Sequence, residues 1–562
     1  MKAAQMSPLR TVAAAQQRSG DGDWAQAAAL WQQVVDANPV NGSYWDYLAE
    51  ARDELGDHQA AIAAYDKVLE LGAWGKRLAD TVYPGEVAYR IACCHLRLGN
   101  HEDAVAALSR TLCLAFRDLE RPRADPLWEP LHTRGDVRDM LGIIDPGTMS
   151  RDQGWRADLA FLVREVRRRT PSRDLDEAEF GAVAGQLAAA VPEMSDAQII
   201  VGMLKLLRPL GDGHAYIAPA EDDQDLNRVL PVKFYLFPEG LFVTAATPPH
   251  QRLLGAQVLR IGEHDAGCDV EQAMATLDPL ISRDNAQQVR WLGPEVLRWP
   301  AVLHALGLIA DPGCVPLTVR FPDGTSGLVT VGSQPAGPRG YPAIAPPPTP
   351  TRPQPPGWIS LPDTLPSPLP LYLRNSDILY WHEYLADHRL VYFQFNGVGD
   401  HPAESLAAFC ERLFRFIDRH EVATLVIDLR WNGGGNTYLT QPLLHHLIAC
   451  DKVSLYVIIG RGTFPAAQNT ATAIGRETSA IFVGEPSGSR PNFIGEAIPF
   501  RLPYSETTVN VGDLYWQTSW PMDHRPWIAP DIYAPPTFEA YRGNRDPAME
   551  AILACQEQLP GG

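Results

Sequence analysis

A repeat near the N-terminus places the strongest constraint on how this chain folds. The segment GDWAQAAALWQQVVDANP begins at Gly22 and GDHQAAIAAYDKVLELG begins at Gly56, which gives a period of about 34 residues. A third copy, GNHEDAVAALSRTLCLA, starts later, at Gly99. Alanines allow close helix crossings, and Pro39 follows the second helix of the first copy. We therefore expect residues 1–145 to form stacked pairs of helices.

The repeat resembles the tetratricopeptide repeat, in which each unit is a pair of antiparallel helices. The resemblance implies a concave surface that binds a protein partner. With about three copies, the sequence is equally consistent with a helical cap that packs on the rest of the chain.

Composition excludes several classes of partner. The chain has 48 Lys and Arg against 67 Asp and Glu, a net charge of -19, whereas nucleic acids and anionic membranes require a basic face. The sequence contains no apolar leader with a cleavage site and no run of about 18 apolar residues, so we expect a cytoplasmic protein. The eight cysteines include no CxxC pair. We expect no disulfide framework, no metal and no cofactor.

Three segments with different patterns follow the repeats. Residues 150–222 contain amphipathic helices, and these helices end at the turn Gly211–His214. Residues 228–334 contain short runs such as LPVKFYLF and GAQVLRIGE, which predict a small β-rich domain. Residues 335–372 are rich in proline, which disfavours helices and inner strands, so this segment is predicted to be an extended linker.

Strands and helices alternate in residues 373–562, and this order predicts a largely parallel sheet covered by helices. Functional sites in such sheets lie beyond the carboxyl ends of the strands. Two turns fall there: the glycine turn Gly433–Gly435 after VATLVIDLR, and the turn Gly462–Pro465 after KVSLYVIIG.

The second of these turns begins a predicted helix, PAAQNTATAIGRE. A helix N-terminus offers free N–H groups to an anion, and many α/β enzymes hold a nucleophile there. Proline fits the first helical position because its missing N–H would be unpaired anyway. However, Pro465 carries no hydroxyl, thiol or charge. The position is shaped for a nucleophile and contains none.

The order of five segments is more particular than any one of them: LGDGH, VIDLRWNGGG, GTFPAAQN, VGEPSGSRPN and HRPWIAPDI. This order resembles the serine peptidase family that includes the tail-specific (C-terminal processing) and tricorn proteases. The resemblance runs from about Arg151 to the C-terminus. It implies a helical N-terminal part, a PDZ-like β domain, and an α/β domain with a fold related to ClpP and crotonase.

The resemblance also implies roles for particular residues. His214 corresponds to a general base, and the glycine turn corresponds to one donor of an oxyanion hole. The N–H of Ala466 corresponds to the second donor, and Pro465 stands where the family has its serine. The residues predicted to form the site and its surroundings are Gly433, Gly434, Gly435, Thr463, Phe464, Pro465, Ala466 and Asn469, together with His214.

An acidic side chain often orients such a histidine. Asp523 is the first candidate and Glu496 the second, although Asp523 could also pair with the neighbouring Arg525. The lysine that one branch of the family uses is absent, since VGEPSGSRPN contains Arg490 instead.

Three functions remain open from the sequence. The first is non-covalent carbonyl chemistry (proton transfer, elimination, cyclisation or hydrolysis) by His214 and the oxyanion hole. The second is a catalytically inactive pseudopeptidase that binds a ligand or protein. The third is a serine hydrolase with a displaced nucleophile, for which the candidates are Ser487, Ser489 and Ser519. The substrate or ligand would be a small molecule or a peptide.

Overall fold

The computed structural model describes residues 8–73, 84–114, 116–173, 175–263, 267–336, 357–375 and 377–558. Most of the predicted proline-rich linker, residues 337–356, lies outside them. The chain divides into two compact units. The first unit comprises Met1–Ser150, Arg164–Arg169 and Leu502–Tyr504. The second comprises Arg151–Val163, Thr170–Arg501 and Ser505–Gly562.

The first unit is helical. Its helices are α1 Pro8–Gly20, α2 Trp24–Ala37, α3 Gly42–Glu54, α4 His58–Leu71, α5 Pro84–Arg97, α6 His101–Cys113, α7 Glu120–Ala124 and α8 Gly135–Leu141. Helices α1 to α6 each pack against the next. The core shared by α1, α2 and α3 includes Trp31, which is fully buried and stacks on Tyr47 with ring centroids 4.5 Å apart. The predicted stacking of helix pairs is therefore present.

The first two repeat copies turn in the same way between helices. Gly22 and Gly56 have φ values of 73° and 76°, a left-handed conformation that glycine adopts without steric cost. The aspartate that follows each glycine then caps the next helix: Asp23 accepts from the N–H of Gln26, and Asp57 from the N–H of Ala60, both at 3.3 Å. The Gly-Asp pair in the sequence thus encodes the turn and the helix start together.

The second unit begins with helices. These are α9 Arg151–Arg169, whose last turns belong to the first unit, α10 Glu177–Ala190 and α11 Asp196–Leu207. Ser195 and Gln198 form a reciprocal capping box at the start of α11. A short strand follows, β1 Tyr216–Ala218. No helix of the described residues is long and apolar enough to span a membrane.

A mixed β-rich region comes next. Its elements are β2 Arg228–Val229, β3 Val232–Phe237, β4 Gly240–Ala246, β5 Gln257–Ile261, β6 Cys268–Asp269, α12 Val270–Leu277, α13 Ala286–Val296, α14 Pro300–Ala305, β7 Cys314–Arg320, β8 Ser326–Gly332, β9 Gln334–Pro335 and β10 Ile359–Ser360. The main sheet has the strand order β10-β4-β5-β7-β8, with β3 paired to β4 and β6 to β5. Strand β10 lies within the predicted linker, so the end of that segment joins the sheet as an antiparallel edge strand.

The remaining elements form an α/β region. They are β11 Tyr380–Leu385, β12 Leu390–Phe395, α15 Leu406–Arg419, β13 Thr424–Asp428, α16 Gln441–Ala449, β14 Ser454–Ile459, α17 Ala466–Glu477, β15 Ile481–Gly484, β16 Asn492–Gly495, β17 Phe500–Arg501, β18 Thr508–Asn510, β19 Leu514–Gln517, β20 Ile532–Tyr533, α18 Phe538–Arg542 and α19 Pro547–Gln558. Six strands form one sheet in the order β11-β12-β13-β14-β15-β20. All pairs are parallel except β11 with β12. The predicted parallel sheet is therefore present.

Helices α15, α16 and α17 bury one face of this sheet. The core between them contains Phe393, Phe409, Leu425 and Val457, none of which exposes any surface. Because β13 and β14 are adjacent and parallel, the turns after them emerge at the same edge of the sheet. These are the glycine turn Gly433–Gly435 and the turn before α17.

A buried ionic network fixes the chain where β13 ends. Arg430 donates to both carboxylate oxygens of Asp546 at 2.9 Å and also contacts Asp428 at 2.8 Å. The three side chains are at most 6% exposed. Removing Asp546 would leave two buried N–H donors of Arg430 without their partner, so this network holds the segment that leads into the glycine turn.

We predict that Asp546→Ala lowers the free energy of unfolding by about 3 kcal/mol, because it breaks a buried, bidentate ion pair. The matched control is Asp418→Ala, which removes an exposed pair with Lys452 and should give no resolved change. Urea unfolding measures both. Equal stability of the two variants would contradict the role given to this network.

Candidate functional site

The two turns at the edge of the parallel sheet are joined by the hydroxyl of Thr463. This side chain is fully buried. It donates to the carbonyl of Leu429 at the end of β13 (3.0 Å) and accepts from the N–H of Gly460 at the end of β14 (3.1 Å). One hydroxyl therefore satisfies backbone groups from both strand ends and sets the spacing of the turns.

The glycine turn packs directly against Pro465. A Cβ atom on Gly434 would lie 2.4 Å from Cδ of Pro465, so only glycine allows this approach. The N–H of Phe464 donates to the carbonyl of Asn432 at 3.0 Å. The structure thus brings Gly434, Phe464 and Pro465 together.

The N–H of Gly434 is already engaged. It donates to Oδ1 of Asn432 at 2.9 Å, a turn closed by the asparagine side chain. Asn432 is fully buried, and Phe464 binds its backbone. Among the described residues, no hydrogen bond is formed by the N–H groups of Gly433 or Gly435. The free donors of this turn are therefore its outer glycines, and Gly434, at its centre, has its N–H engaged.

Helix α17 starts immediately after Pro465. Its first internal bond is donated by the N–H of Asn469 to the carbonyl of Pro465 (3.0 Å), so the N–H of Ala466 lies in the unpaired first turn. Ala466 is 2% exposed, whereas Phe464 and Pro465 are half-buried. The helix N-terminus favours negative charge, and Pro465 adds no reactive group to it.

His214 lies against the same segment. Its ring centroid is 4.7 Å from that of Phe464 and 6.1 Å from that of Phe493. Nδ1 is 3.0 Å from the carbonyl oxygen of Ile494. Because a carbonyl oxygen only accepts, Nδ1 carries a proton here and Nε2 is the basic nitrogen. The side chain is 18% exposed.

The carboxylate that faces His214 is Asp212. Its Oδ1 lies 3.6 Å from Nδ1 and accepts the backbone N–H of His214 at 2.8 Å. Its Oδ2 accepts the N–H of Gly512 at 2.6 Å, and the residue is fully buried. Asp212 lies two residues before His214 in LGDGH, so the motif itself contained the signal.

Two opposing effects act on the pKa of His214. Burial lowers this pKa, because it penalises the imidazolium. The hydrogen bond and negative charge of Asp212, the charge of Asp284 and the contact with Ile494 raise it, and the net pKa lies above its usual 6.5. The neutral form that can accept a proton therefore predominates only at higher pH than for an ordinary histidine.

The structure corrects the predicted acidic partner. Asp523 accepts two hydrogen bonds from Arg525, at 2.9 and 2.7 Å, and one from the hydroxyl of Ser519 at 2.6 Å. Its contacts are thus those of a local ion pair, and the bond to Arg525 holds the pKa of Asp523 below its usual range. The second candidate, Glu496, is exposed.

The candidate replacement nucleophiles are all hydrogen-bonded. The Oγ of Ser487 accepts from the N–H of Ile528 at 2.9 Å and donates to the carbonyl of Ser489 at 3.3 Å. The hydroxyl of Ser489 donates to Asp284, and both serines are fully buried. Ser519 donates to Asp523, as described above.

Asn469 lines a cavity between α16, α17 and β19. Its Nδ2 donates to Oγ1 of Thr437 at 3.1 Å, and its Oδ1 accepts from Oγ1 of Thr518 at 2.7 Å. The cavity has a volume of 400 Å³. Its walls come from α16, α17 and β19, and they include Thr437, Leu444, His445, Asn469, Trp516 and Thr518.

One group of side chains in the described residues has donor atoms close enough to hold a metal ion. Asp53, His58 and Cys94 each offer an atom within 4.8 Å of the others. However, Arg97 donates to both oxygens of Asp53 at 2.9 Å, and burial raises the pKa of the Cys94 thiol. An arginine on the carboxylate and a neutral thiol both oppose metal binding, and the cluster lies in the repeats.

Comparisons with known proteins address the repeats and the fold. Models of the tetratricopeptide repeat match residues 43–71 and 86–112, which contain α3 with α4 and α5 with α6. The first unit therefore contains tetratricopeptide repeats, as predicted, and a mixed α/β region follows them. No curated protein sequence matches the chain.

The chain is similar to several solved structures. The crystal structure of mature CPAF is 14% identical, with a TM-score of 0.49, over 72% of this chain and 96% of that one. The photosystem II D1 C-terminal processing protease is 12% identical, with a TM-score of 0.35, over 72% and 97%. The tricorn protease is 13% identical, with a TM-score of 0.35, over 73% of this chain and 37% of that one.

We predict that Thr463→Val lowers the free energy of unfolding by about 1–3 kcal/mol, because the carbonyl of Leu429 and the N–H of Gly460 lose a buried partner. Thr470→Val is the matched control. Thr470 is also buried, but its hydroxyl only donates to a helix carbonyl, that of Ala466, and its loss should cost less. Urea unfolding compares the two. A Thr463 variant no less stable than the control would contradict the bridging role.

Proposed function

We propose that the region after residue 150 is a peptidase-like protein that holds a peptide non-covalently and forms no acyl-enzyme. The observation that carries this proposal is that Pro465, beside Phe464 and His214, immediately precedes α17. The position that holds a serine in the family that the sequence resembles therefore has no hydroxyl. Acyl transfer requires a nucleophile within hydrogen-bond reach of its base.

The hydrogen bonding and packing of the glycine turn support a binding function over a catalytic one. An oxyanion hole works through preorganised donors that are free to bind the developing charge. The N–H of Gly434 donates to Asn432 instead, and the ring of Pro465 packs against Gly434. A pseudopeptidase needs no free oxyanion donor. Carbonyl chemistry requires either that the hydrogen bond of the Gly434 N–H opens or that the N–H of an outer glycine serves as the donor.

Proton transfer by His214 is the second candidate function. It is favoured by the fixed tautomer, since Nδ1 is held by Ile494 and Nε2 has no hydrogen bond to a described residue. With the N–H of Ala466 as a donor, Nε2 could move a proton in elimination, cyclisation or water-mediated hydrolysis. This candidate requires turnover, which the binding function does not.

A serine hydrolase with a displaced nucleophile is disfavoured. The hydroxyls of Ser487 and Ser489 are buried and hydrogen-bonded to their own surroundings. Ser519 is bonded to Asp523, which pairs with Arg525 rather than with a histidine. None of these arrangements activates a serine.

The cavity beside Asn469 supports a peptide as ligand. Its walls combine apolar side chains, such as Leu444 and Trp516, with polar ones, such as Asn469, and with one residue of each charge, Arg476 and Glu477. A volume of 400 Å³ is within the range of small-ligand pockets. A side chain of a bound peptide would fit this cavity while its backbone lies near His214.

The repeats support a protein partner for the first unit. Tetratricopeptide repeats present extended concave surfaces, which many proteins use for binding. The acidic balance of the chain, with a net charge of -19, favours a protein partner over nucleic acid or an anionic membrane.

The experiment exposes the full chain to a library of short peptides and separates bound from free by gel filtration and mass spectrometry. We expect a subset of peptides to be retained with unchanged mass. His214→Ala should weaken their retention by about tenfold or more, which corresponds to about 1.4 kcal/mol, through loss of a polar contact. His388→Ala removes an exposed histidine outside the site and is the control.

The outcomes separate the candidate functions. Retention of intact peptides that depends on His214 supports the binding protein. Peptides released with altered mass by the wild type but not by His214→Ala would replace it with the proton-transfer enzyme. Equal retention by the His214 and His388 variants would overturn the proposed site.

A further inference from the structure

A second buried carboxylate holds the turn that carries His214. Oδ1 of Asp284 accepts the N–H of Gly213 at 2.8 Å. Nearby, the hydroxyl of Ser282 donates to the carbonyl of Asp212 at 2.7 Å. The segment that precedes α13 thus binds two consecutive residues before the histidine. Neither contact was predicted from the sequence, in which these segments lie about 70 residues apart.

The approach of this segment is close. A Cβ atom on Gly213 would lie 2.5 Å from Nε2 of Gln288 and 2.9 Å from Oδ1 of Asp284. Gln288 also donates from Nε2 to the carbonyl of Gly213 at 3.4 Å, and its Oε1 accepts the N–H of Asp284 at 2.6 Å. Gln288 therefore orients the backbone of Asp284 while both side chains hold the turn.

The same carboxylate is bonded on its other side to the loop that follows β15. Oδ2 of Asp284 accepts a hydrogen bond from the hydroxyl of Ser489. Nε of Arg490 donates to the backbone carbonyl of Asp284 at 2.6 Å, and Nδ2 of Asn285 donates to the carbonyl of Ser487 at 3.1 Å. Asp284 thus joins the turn of His214 to this loop through its two oxygens.

The loop after β15 in turn packs on the turn before α17. The N–H of Gly488 donates to the carbonyl of Thr463 at 3.2 Å, and a Cβ atom on Gly488 would lie 2.2 Å from the carbonyl oxygen of Arg461. Glu485, at the start of the loop, forms a buried ion pair with Arg461 at 2.9 Å. Asp284 therefore lies between the histidine and the segment that leads to Pro465.

Asp284 is buried beside other titratable groups, so its charge affects their pKa values. The residue is 1% exposed, and the titratable groups that face it are His214 and Asp212. Burial raises the pKa of Asp284 to about 6, the charge of His214 and the bond from Ser489 oppose that rise, and Asp212 adds to it. Its carboxylate charge is also one of the causes that raise the pKa of His214.

We propose that Asp284 is a positioning residue of the His214 site, which fixes the histidine turn against the loop after β15 and supplies negative charge to the imidazole. The proposal rests on the proposed function only in taking His214 as the centre of the site. Asp284 acts through Gly213 and Ser489 and has no contact with a ligand assigned to it.

The first test is Asp284→Asn. The amide can still accept from Gly213 through Oδ1 and donate to the Oγ of Ser489 through Nδ2, so the bonds are kept and the charge is removed. Followed by NMR titration of the imidazole carbon-bound protons, the pKa of His214 should fall by about 1. Asp523→Asn, a partly buried carboxylate bonded to Arg525, is the control and should leave it unchanged.

The second test is Asp284→Ala, which removes both hydrogen bonds. Amide exchange of Gly213 should become about tenfold faster or more in this variant and stay near the wild-type rate in Asp284→Asn. If Asp284→Ala does not fold, the pKa of His214 in the wild type and in Asp284→Asn still tests the proposal. An unchanged pKa of His214 in Asp284→Asn would overturn the proposal.

Stability against pH gives an independent check. Because the pKa of Asp284 is raised in the folded protein, its contribution to stability is full below its usual 3.8 and is lost as pH rises through about 6. Asp284→Asn should therefore gain stability relative to wild type between about pH 4 and pH 7. No relative gain over this interval would contradict the assigned surroundings. None of these readouts needs a ligand, so they can succeed or fail independently of the peptide-binding experiment.

Discussion

The arrangement of this site depends on the bridge that Thr463 makes between two strand ends. Parallel pairing of β13 with β14 brings their carboxyl ends to one edge, but pairing alone does not fix the turns that follow. The buried hydroxyl, bonded to Leu429 and Gly460, sets the spacing at which Gly434 meets Pro465. That contact fixes where α17 starts and where Phe464 lies. His214 in turn packs against this surface.

The sequence predicted those features that local pattern encodes. The period between Gly22 and Gly56 gave the helical repeats, and alternating strands and helices gave the parallel sheet with the glycine turn beside Pro465. The order of motifs indicated that His214 lies near the glycine turn and Pro465. The acidic partner was mispredicted, because Asp523 pairs with Arg525 two residues away, and sequence alone gave no measure of which carboxylate the fold brings to the imidazole.

Contacts between segments that are far apart in the sequence could not be predicted from the sequence alone. Asp284 and Ser489 are far apart in the chain, and nothing in the sequence pairs them, yet their bond links the histidine turn to the loop after β15. Likewise, the capping of the Gly434 N–H by Asn432 depends on one side-chain conformation. A glycine-rich turn predicts available N–H groups, but only the structure assigns their partners.

The central claim is that this peptidase-like site forms no covalent intermediate, and an active-site-directed fluorophosphonate measures this most directly. The probe requires an activated serine, and Ser487, Ser489 and Ser519 are all bonded elsewhere. The account predicts that peptide mapping by mass spectrometry finds no labelled serine in the native chain. Stoichiometric labelling of one of these serines, abolished by His214→Ala, would contradict it.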